Sequence, residues 1–460
     1  MNGTSHGASN QWRACSFGVI FVTLKHKVKV IGAGHTMPDT HLIEDGSNSM
    51  AIEALHWPND DLSRIPDWIY TSEDILVRER ERIFLGKCWN FVALEAELPD
   101  VGCFKRSYVG DVPVIVTRTG DNAFNVFENR CAHRGVEFCR ELRGKVNEFI
   151  CPYHHWTYDV TGELIAVPFR RGDKGKGGMP KEFDLGEHNP RQFRVSCRHG
   201  VIFATLSDDT EPLEEYLGPE TLEQFDVVFS GRELKVLGYY RNRLNGNWKL
   251  YHENLKDPYH ATLLHVYLAT FRLMVAGQKS AMICDEVGRH ATAASAKDDA
   301  IEIGDDLVDE MKGAYRVGMD LNDEDFTRYV PEFDSPWTVT MSTIWPNLIV
   351  QRELNTLGIR HIVPRGPHAL DMYWTMFGYV GDSEEMTKHR MKQGNLMGPS
   401  GYLGVDDNEA IKFLQDGFRN SMPGEGVVKL DPDKEGGTDT LISEASIRSL
   451  YRHYREVMDI

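Results

Sequence analysis

The sequence predicts an α+β protein in which a small all-β domain precedes a larger domain of antiparallel sheet and helices. Short β-prone runs separated by Gly and Asn turns fill residues 88–206, and this pattern predicts the small domain. Later strand-like runs, joined by connections that contain Pro or Gly, predict an antiparallel sheet. These runs are residues 234–244, 337–349, 352–363 and 370–379. Helical patterns at residues 382–396, 408–419 and 443–458 complete the second half.

The bulk composition narrows the class of protein. The chain has 460 residues, of which 41% are hydrophobic, and this is enough for two or three globular domains. A formal net charge of −18 without a basic stripe argues against a nucleic-acid partner. No apolar run reaches transmembrane length, so we expect no membrane span. The eight cysteines show no disulfide-framework spacing, and we expect reduced thiols in a cytoplasmic protein.

Residues 1–50 differ from the rest of the chain. They mix Gly, Ser, Asn and His with one short β-prone run, and we expect a disordered extension or a start codon placed too far upstream. Regular patterning begins at Trp57. The run from Thr71 to Asp74 is a helix-start signal with acidic residues in the first turn, and it predicts a helix that reaches Phe84.

Within the small domain, two arms each combine one cysteine with one histidine. The first arm is Cys131 and His133, and the second is Cys151 and His154. A Rieske [2Fe–2S] cluster needs two thiolates on one iron and two imidazoles on the other, which this C-x-H…C-x2-H pattern supplies. A zinc site is the alternative, although finger-type zinc sites usually place like ligands in each arm. Four unrelated polar residues are the third interpretation.

A second group of candidate ligands lies about a hundred residues later. Non-haem Fe(II) oxygenases bind iron through two histidines and one carboxylate, which leaves positions open for O₂. His260 and His265 can supply the imidazoles, and their five-residue spacing predicts a break in the helix near Pro258. The carboxylate must come from elsewhere, and Asp407 is the strongest candidate, with Asp406 as its rival.

Together these motifs resemble the α subunits of Rieske non-haem iron aromatic-ring-hydroxylating oxygenases. The resemblance runs from about residue 55 to the C-terminus. It is carried by C-x-H-x17-C-x2-H, N-W-K-L at 247–250, E-N-x-x-D-x-Y-H-x4-H at 253–265, and G-P-S-G…D-D-N at 398–408. The family implies a Rieske domain (88–206) inserted in a helix-grip catalytic domain, whose parts are residues 51–87 and 207–460. It also implies an α₃ or α₃β₃ assembly, the latter with a small β subunit.

The resemblance assigns further roles around the second site. It implies that Asp257 bridges His260 to the second cluster histidine, His154, of a neighbouring subunit. It implies that Asn254 is a labile ligand or a neighbour of the ligands, and that Tyr259 lines the site. Electrons are expected from NAD(P)H through a separate reductase and a ferredoxin, because no nucleotide-binding Gly loop is visible in this chain.

Within the family, the sequence is most similar to that of oxygenases of aromatic acids around residues 178–180, 248–265 and 395–399. Salicylate hydroxylases and anthranilate dioxygenases are the nearest in pattern, with terephthalate dioxygenase related. The resemblance therefore implies a terminal oxygenase that inserts O₂-derived oxygen into an aromatic carboxylate. The alternative is a Rieske monooxygenase or O-demethylase acting on another aromatic acid, such as a terephthalate-type substrate. Burial of a carboxylate needs a cation, and Arg352, Arg360 and Arg390 are the candidates.

Overall fold

The structure is a computed structural model that describes residues 57–298 and 303–460, apart from residues 59, 61, 312, 314, 317, 318 and 320. The predicted N-terminal extension, residues 1–50, lies outside these described residues. Among the helices of the described chain, none combines the length and the apolar character that a membrane crossing requires.

The chain first forms two short helices and then an all-β region. The opening elements are β1 (Arg64–Pro66), α1 (Trp68–Thr71) and α2 (Glu73–Glu79), and α2 continues as a π-helical turn (Arg80–Phe84). The next strands are β2 (Asn90–Leu94), β3 (Cys103–Val109), β4 (Val112–Gly120), β5 (Ala123–Glu128), β6 (Arg143–Lys145), β7 (Glu148–Ile150), β8 (Thr157–Asp159), β9 (Leu164–Ala166), β10 (Gln192–Arg198) and β11 (Val201–Thr205).

The remaining elements mix helices with a second sheet. They are α3 (Leu213–Phe229), β12 (Leu234–Leu244), α4 (Trp248–Lys256), α5 (Pro258–Ala261), α6 (Val266–Thr270), β13 (Ser280–Cys284), β14 (Ala291–Ser295), α7 (Asp305–Glu310), β15 (Val339–Ile344), β16 (Leu348–Glu353), β17 (Thr356–Pro364), β18 (Leu370–Tyr379), α8 (Glu384–Met397), α9 (Tyr402–Asn420), β19 (Glu425–Val427) and α10 (Ala445–Met458). The predicted α+β class, with an all-β first domain, is confirmed.

Two antiparallel sheets carry the all-β region. One has the strand order β2-β11-β10-β5-β4-β3-β6, and a smaller one has the order β7-β8-β9. The first Cys/His arm lies between β5 and β6, and the second lies in the turn between β7 and β8. The two arms, which are 17 residues apart in the sequence, are therefore carried by loops of two different sheets.

The second domain contains a seven-stranded antiparallel sheet. Its strand order is β12-β18-β17-β16-β15-β14-β13. The sequence predicts β12 and β18 with the bounds that the structure has. The predicted strand 337–349 is wrong at one end, because the chain turns at Trp345–Asn347. All three of those residues are buried within an apolar run, which masked the turn signal that Pro346 and Asn347 supply. Strand β14 is Ala-rich, which explains why its β character was missed.

The segment before the all-β region packs with the second domain. Strand β1 pairs with β19, and Arg64 lies opposite Val427. Ile75 and Phe84 share a buried cluster with Trp248 of α4 and Tyr454 of α10. These contacts support the proposal that the all-β domain is inserted within the second domain.

Candidate metal centres and active site

Helix breaks position the two candidate iron-binding histidines. Helix α4 ends at Lys256, and the Asp257 side chain caps α5 by accepting hydrogen bonds from the amides of Tyr259 and His260 at 3.0 and 3.3 Å. Helix α5 stops at Ala261, and His265 immediately precedes α6 as its N-cap residue. The imidazole rings lie 5.2 Å apart. The break that the five-residue spacing predicts is therefore present, and it turns both imidazoles toward one point.

Asp407, from the first turns of α9, completes a three-residue group. Its Oδ1 lies 3.1 Å from Nε2 of His265 and 3.6 Å from Nε2 of His260. One ligand atom from each residue lies within 4.8 Å of the others. Among the described residues, this is the one set of His, Cys, Asp or Glu side chains that converges in this way. Two imidazoles and a carboxylate on one side are the donor set of non-haem iron oxygenases.

The structure separates Asp407 from its rival Asp406. The Asp407 side chain is buried, whereas that of Asp406 is about one-third exposed. Oδ2 of Asp406 lies 3.3 Å from Nδ1 of His265, on the far side of the ring. This arrangement suits an Nδ1–H donor and places Nε2 on the side of Asp407, where it could bind a metal, as in metal-binding histidines whose outer nitrogen contacts a carboxylate.

His260 is held in the same tautomer by the backbone. Its Nδ1 is in hydrogen-bond contact with the carbonyl oxygen of Asp257, which can only accept, so Nδ1 carries the proton. Nε2 is then free for a metal. The other oxygen of the Asp257 carboxylate lies 3.7 Å from the same Nδ1. Asp257 therefore caps α5 and contacts a candidate ligand at once.

Electrostatics favour charge on Asp407 and His265. Burial acts to raise the pKa of Asp407, but His265 and His260 outweigh it and hold that pKa well below its usual range. Burial acts to lower the pKa of His265, and the charges of Asp407 and Asp406 raise it to about 9. For Asp257, burial dominates and raises the pKa above its usual value, although His260 opposes it. The centre thus contains a firmly ionised carboxylate.

Asn254 lies beside this group, on α4. Its Nδ2 donates to Oδ1 of Asp407 at 3.2 Å and lies 3.4 Å from Nε2 of His260. Its Oδ1 is buried and has no hydrogen-bond partner among the described residues. A buried acceptor without a partner is costly, and a cation at this point would satisfy it. The donor set and this amide oxygen together fit a bound iron.

A small cavity of about 40 Å³ adjoins the candidate ligands. Most of its wall is apolar and comes from α5, α6, α9 and the sheet. The apolar lining residues are Leu255, Pro258, Ala261, Leu268, Met274, Ala293, Val339, Met341 and Leu403. Asn254, Asp257 and Glu353 also line it. Tyr259, predicted to line the site, is absent from this wall, and its ring is partly exposed.

The three candidate arginines lie in different surroundings. Arg390 is buried between Glu332 and Asp382, at 2.6 and 2.8 Å, so its charge is already neutralised by these two carboxylates. Arg352 bonds Thr340 and Ser335 on the opposite face of β16 from Glu353. Neither lines the cavity, because both face other surfaces. Arg360 is buried on the same face as Gln351, and both its Nε and an Nη atom donate to Oε1 of Gln351.

The Cys/His arms form two similar tight turns. The amide of Gly135 donates to the carbonyl of Cys131 at 2.8 Å, and that of His155 donates to the carbonyl of Cys151 at 2.9 Å. Gly135 and His155 both have positive φ, which is costly for a non-Gly residue and marks a constrained turn. Both thiols are buried, whereas His133 is exposed.

The imidazoles of the two arms approach each other. The rings of His133 and His154 lie 4.5 Å apart, and Trp156 stacks on His133 at 4.8 Å. Nδ1 of His154 is buried and has no partner among the described residues. The four side chains are not among the groups that converge on a single ion, as a zinc site would require, whereas a two-iron cluster spreads its ligands. The residues therefore fit a [2Fe–2S] cluster better than zinc.

Two functional candidates escaped the sequence-based reasoning. The Tyr158 hydroxyl donates to Sγ of Cys131 at 3.3 Å and accepts from the amide of Ala132 at 3.0 Å. Its position seven residues after Cys151 could have suggested a contact with the cluster loops. Glu353 lines the cavity from the end of β16, and no local motif marks it.

Comparison with protein families decides the assignment. Residues 88–175 match the model of the Rieske [2Fe-2S] domain, and residues 231–460 match that of the ring-hydroxylating alpha subunit catalytic domain. This chain belongs to the ring-hydroxylating oxygenase α subunits. A ring-hydroxylating α subunit is an oxidoreductase whose cofactors are a [2Fe–2S] cluster and a mononuclear iron. Such subunits work in multicomponent systems with ferredoxin and reductase partners.

Characterised relatives of this α subunit match over nearly its whole described length. It is 44% identical to the large oxygenase component of salicylate 5-hydroxylase from Ralstonia sp. over 410 residues, which cover 87% of this chain and 96% of the relative. It is 41% identical to the large subunit of anthranilate 1,2-dioxygenase from Burkholderia cepacia, with 88% and 95% covered. Naphthalene 1,2-dioxygenase from Rhodococcus sp. shares the fold, with a TM-score of 0.69, 24% identity, and coverage of 86% and 94%.

Proposed function

We propose that this α subunit hydroxylates an aromatic ring that carries a carboxylate, of the salicylate or anthranilate type. The observation that carries the proposal is the convergence of His260, His265 and Asp407 on a cavity with mostly apolar walls. The names of the two relatives, both more than 40% identical, supply the substrate class.

In this proposal, Cys131, His133, Cys151 and His154 hold the cluster, and His260, His265 and Asp407 hold the mononuclear iron. The cluster supplies single electrons and the iron supplies O₂ activation when they are bound. The chain's own residues fix the geometry. Asp406 and the Asp257 carbonyl orient the two imidazoles, and Asn254 bonds the ligand carboxylate.

The cavity sets a condition on substrate binding. Its volume of about 40 Å³ holds little more than a water molecule, whereas a cavity that binds benzene measures roughly 150 Å³. An aromatic ring therefore displaces apolar side chains when it binds. Leu268, Met274 and Leu403 are the flexible members of the wall. The bound aromatic ring then excludes water from the side chains that would hold the iron.

We also propose a head-to-tail trimer in which Asp257 contacts His154 of the adjacent subunit. The Asp257 side chain is one-quarter exposed in the single chain, although it contacts a ligand. His154 lies on an outer loop, and its ring packs 3.8 Å from the exposed Tyr153. Two accessible groups of this kind can meet across a rotational interface. A small β subunit and a cytoplasmic location belong to the same proposal, and the latter is supported by seven cysteines without disulfides in the described chain.

The proposed function allows two reaction outcomes, which differ in the number of oxygen atoms inserted. One relative is named a 5-hydroxylase and the other a 1,2-dioxygenase, so monooxygenation is a specific alternative to dioxygenation. A monooxygenase or O-demethylase acting on a terephthalate-type acid would use the same ligand set.

Product analysis tests the proposal. The purified protein, with any β subunit and with a reductase and ferredoxin of a related system, is incubated with salicylate, anthranilate, benzoate or terephthalate under ¹⁸O₂. We expect a hydroxylated product of an aromatic acid that contains ¹⁸O, and one or two labelled atoms distinguish the alternatives. Absence of both binding and turnover for all four acids would contradict the substrate class.

A further inference from the structure

Glu353 is a buried carboxylate at the cavity whose role the metal centre does not explain. It is the last residue of β16, only 2% exposed, and it lines the cavity opposite Val339 in the strand register. Asn254, Asp257, His260, His265 and Asp407 account for the other polar lining and lie at the metal end. Glu353 is the one further ionisable group on the described wall.

A relay of hydrogen bonds connects Glu353 to a buried cation. Arg360 donates to Oε1 of Gln351 through Nε at 3.2 Å and through an Nη atom at 3.1 Å. Nε2 of the same amide donates to Oε2 of Glu353. Arg360 fixes the amide orientation, because guanidinium groups only donate, and so the amide must present N–H to Glu353. Burial raises the pKa of Glu353 to about 7, and the charge of Arg360 opposes this rise although its guanidinium does not line the cavity.

The carboxylate is left with unused acceptor capacity. Among the described residues, its side chain receives a hydrogen bond from Gln351 alone and forms no ion pair. Nearby, the hydroxyl of Tyr267 is buried and has no hydrogen-bond partner in the described chain. Burial raises the pKa of Tyr267, and the negative charge of Glu353 adds to this rise. Buried polar groups usually find partners, so an unpaired acceptor and an unpaired hydroxyl together point to a ligand.

We propose that Glu353 accepts a hydrogen bond from the hydroxyl or amino group beside the carboxylate of the substrate ring, and so selects 2-hydroxy- or 2-amino-substituted aromatic acids. The inference rests on the proposed function, since it assumes an aromatic acid in this cavity. An O–H or N–H donor satisfies the free acceptor of Glu353, whereas a ring with hydrogen at that position leaves it unpaired. Discrimination follows from the penalty of that unpaired buried group.

Binding measurements with matched acids test this assignment. The metal-loaded protein is titrated anaerobically with salicylate, anthranilate and benzoate, and Kd is read by calorimetry, with kcat/KM measured in parallel. The wild-type protein should prefer the two donor-bearing acids over benzoate by roughly 10- to 100-fold. Glu353→Leu should remove most of this preference by weakening salicylate and anthranilate, with benzoate affinity changed little.

Two further variants distinguish a specific loss of substrate preference from misfolding. Glu353→Gln keeps an acceptor oxygen and the side-chain shape but loses the charge, so it should retain an intermediate preference. Glu97→Gln alters another buried glutamate that does not line the cavity, and it should keep the wild-type preference. Thermal melting and the cluster absorption spectrum identify the folded variants.

Three results would contradict the role of Glu353, and one of them would also contradict the proposed function. A folded Glu353→Leu protein, or a folded Glu353→Gln protein if the former fails to fold, with an unchanged preference overturns the role of Glu353 but leaves the proposed function intact. A wild-type protein that binds all three acids equally also overturns it. A wild-type protein that neither binds nor converts any aromatic acid overturns the proposed function together with this inference.

Discussion

The carboxylate of Asp257 lies 3.7 Å from Nδ1 of His260, while its other oxygen accepts a hydrogen bond from the His260 amide. One side chain thus holds the start of a helix and touches a candidate iron ligand. The two roles can be separated, because asparagine caps helices about as well as aspartate but carries no charge.

Asp257→Asn should therefore keep both metal centres and lose coupled turnover. We expect kcat to fall by two orders of magnitude or more if Asp257 joins the two centres across subunits. Rapid mixing of the reduced protein with substrate and O₂ measures cluster oxidation directly, and this step should slow in the same proportion. Asp257→Ala, which also loses the cap, should in addition lower the melting temperature. Near-normal cluster oxidation in Asp257→Asn would exclude the bridge.

Asp407→Ala should release the mononuclear iron and leave the cluster in place. Iron analysis should fall from about three to about two atoms per chain, with the cluster EPR signal unchanged. Asp406→Asn is the matched control, since Asp406 contacts only the outer nitrogen of His265; it should weaken iron binding by about tenfold. Equal iron loss in the two variants would contradict the assignment of Asp407 as the ligand.

Tyr158→Phe should lower the reduction potential of the cluster. The Tyr158 hydroxyl donates to Sγ of Cys131, and a donor to a cluster sulfur favours the reduced, more negative state. A redox titration followed by EPR measures the change. Tyr153→Phe removes a hydroxyl that accepts from Arg134 and does not contact a thiol, so its potential should stay near that of the wild type. A Tyr158→Phe potential equal to the wild-type value would argue against a role for this bond.

Glu79→Ala should strongly destabilise the catalytic domain. Glu79 is buried and accepts hydrogen bonds from Lys249, Trp248 and Tyr454 at 2.6, 2.7 and 2.6 Å. Its removal leaves the Lys249 ammonium buried and unpaired, which costs about 3–5 kcal/mol in the free energy of unfolding. Lys388→Ala breaks an exposed pair with Glu384 and should cost about 0.5 kcal/mol or less. Denaturant unfolding of both variants measures the contrast, and similar losses would refute the argument.

Most of the candidate metal ligands could be predicted from the sequence because they lie close together in it. Cys131 and His133, or His260 and His265, lie within a few residues of each other, and short turns keep such neighbours together. Asp407 was harder, because 142 positions separate it from His265, and the structure was needed to separate it from its rival Asp406. The structure brings it to the two imidazoles through α9.

Features set by long-range packing were not readable. Arg390 was a reasonable substrate contact until the fold supplied Glu332, which lies 58 positions earlier in the chain and neutralises it. Glu353 ends a strand in which every residue is buried, so no alternation shows which side chains face the cavity. Tyr259 sits between two site residues in the sequence, yet the short helix α5 turns its ring toward solvent.

The pairing of β1 with β19 has a consequence for biosynthesis. Residues 64–66 leave the ribosome long before their partners at 425–427. Glu79 likewise precedes its hydrogen-bond partner Tyr454 by 375 positions. The all-β domain between them contains its own strand partners and can fold as soon as it emerges. The catalytic domain, by contrast, cannot close before residues 445–458 are made, so the nascent chain should carry a finished electron-transfer module beside an unfinished oxygenase.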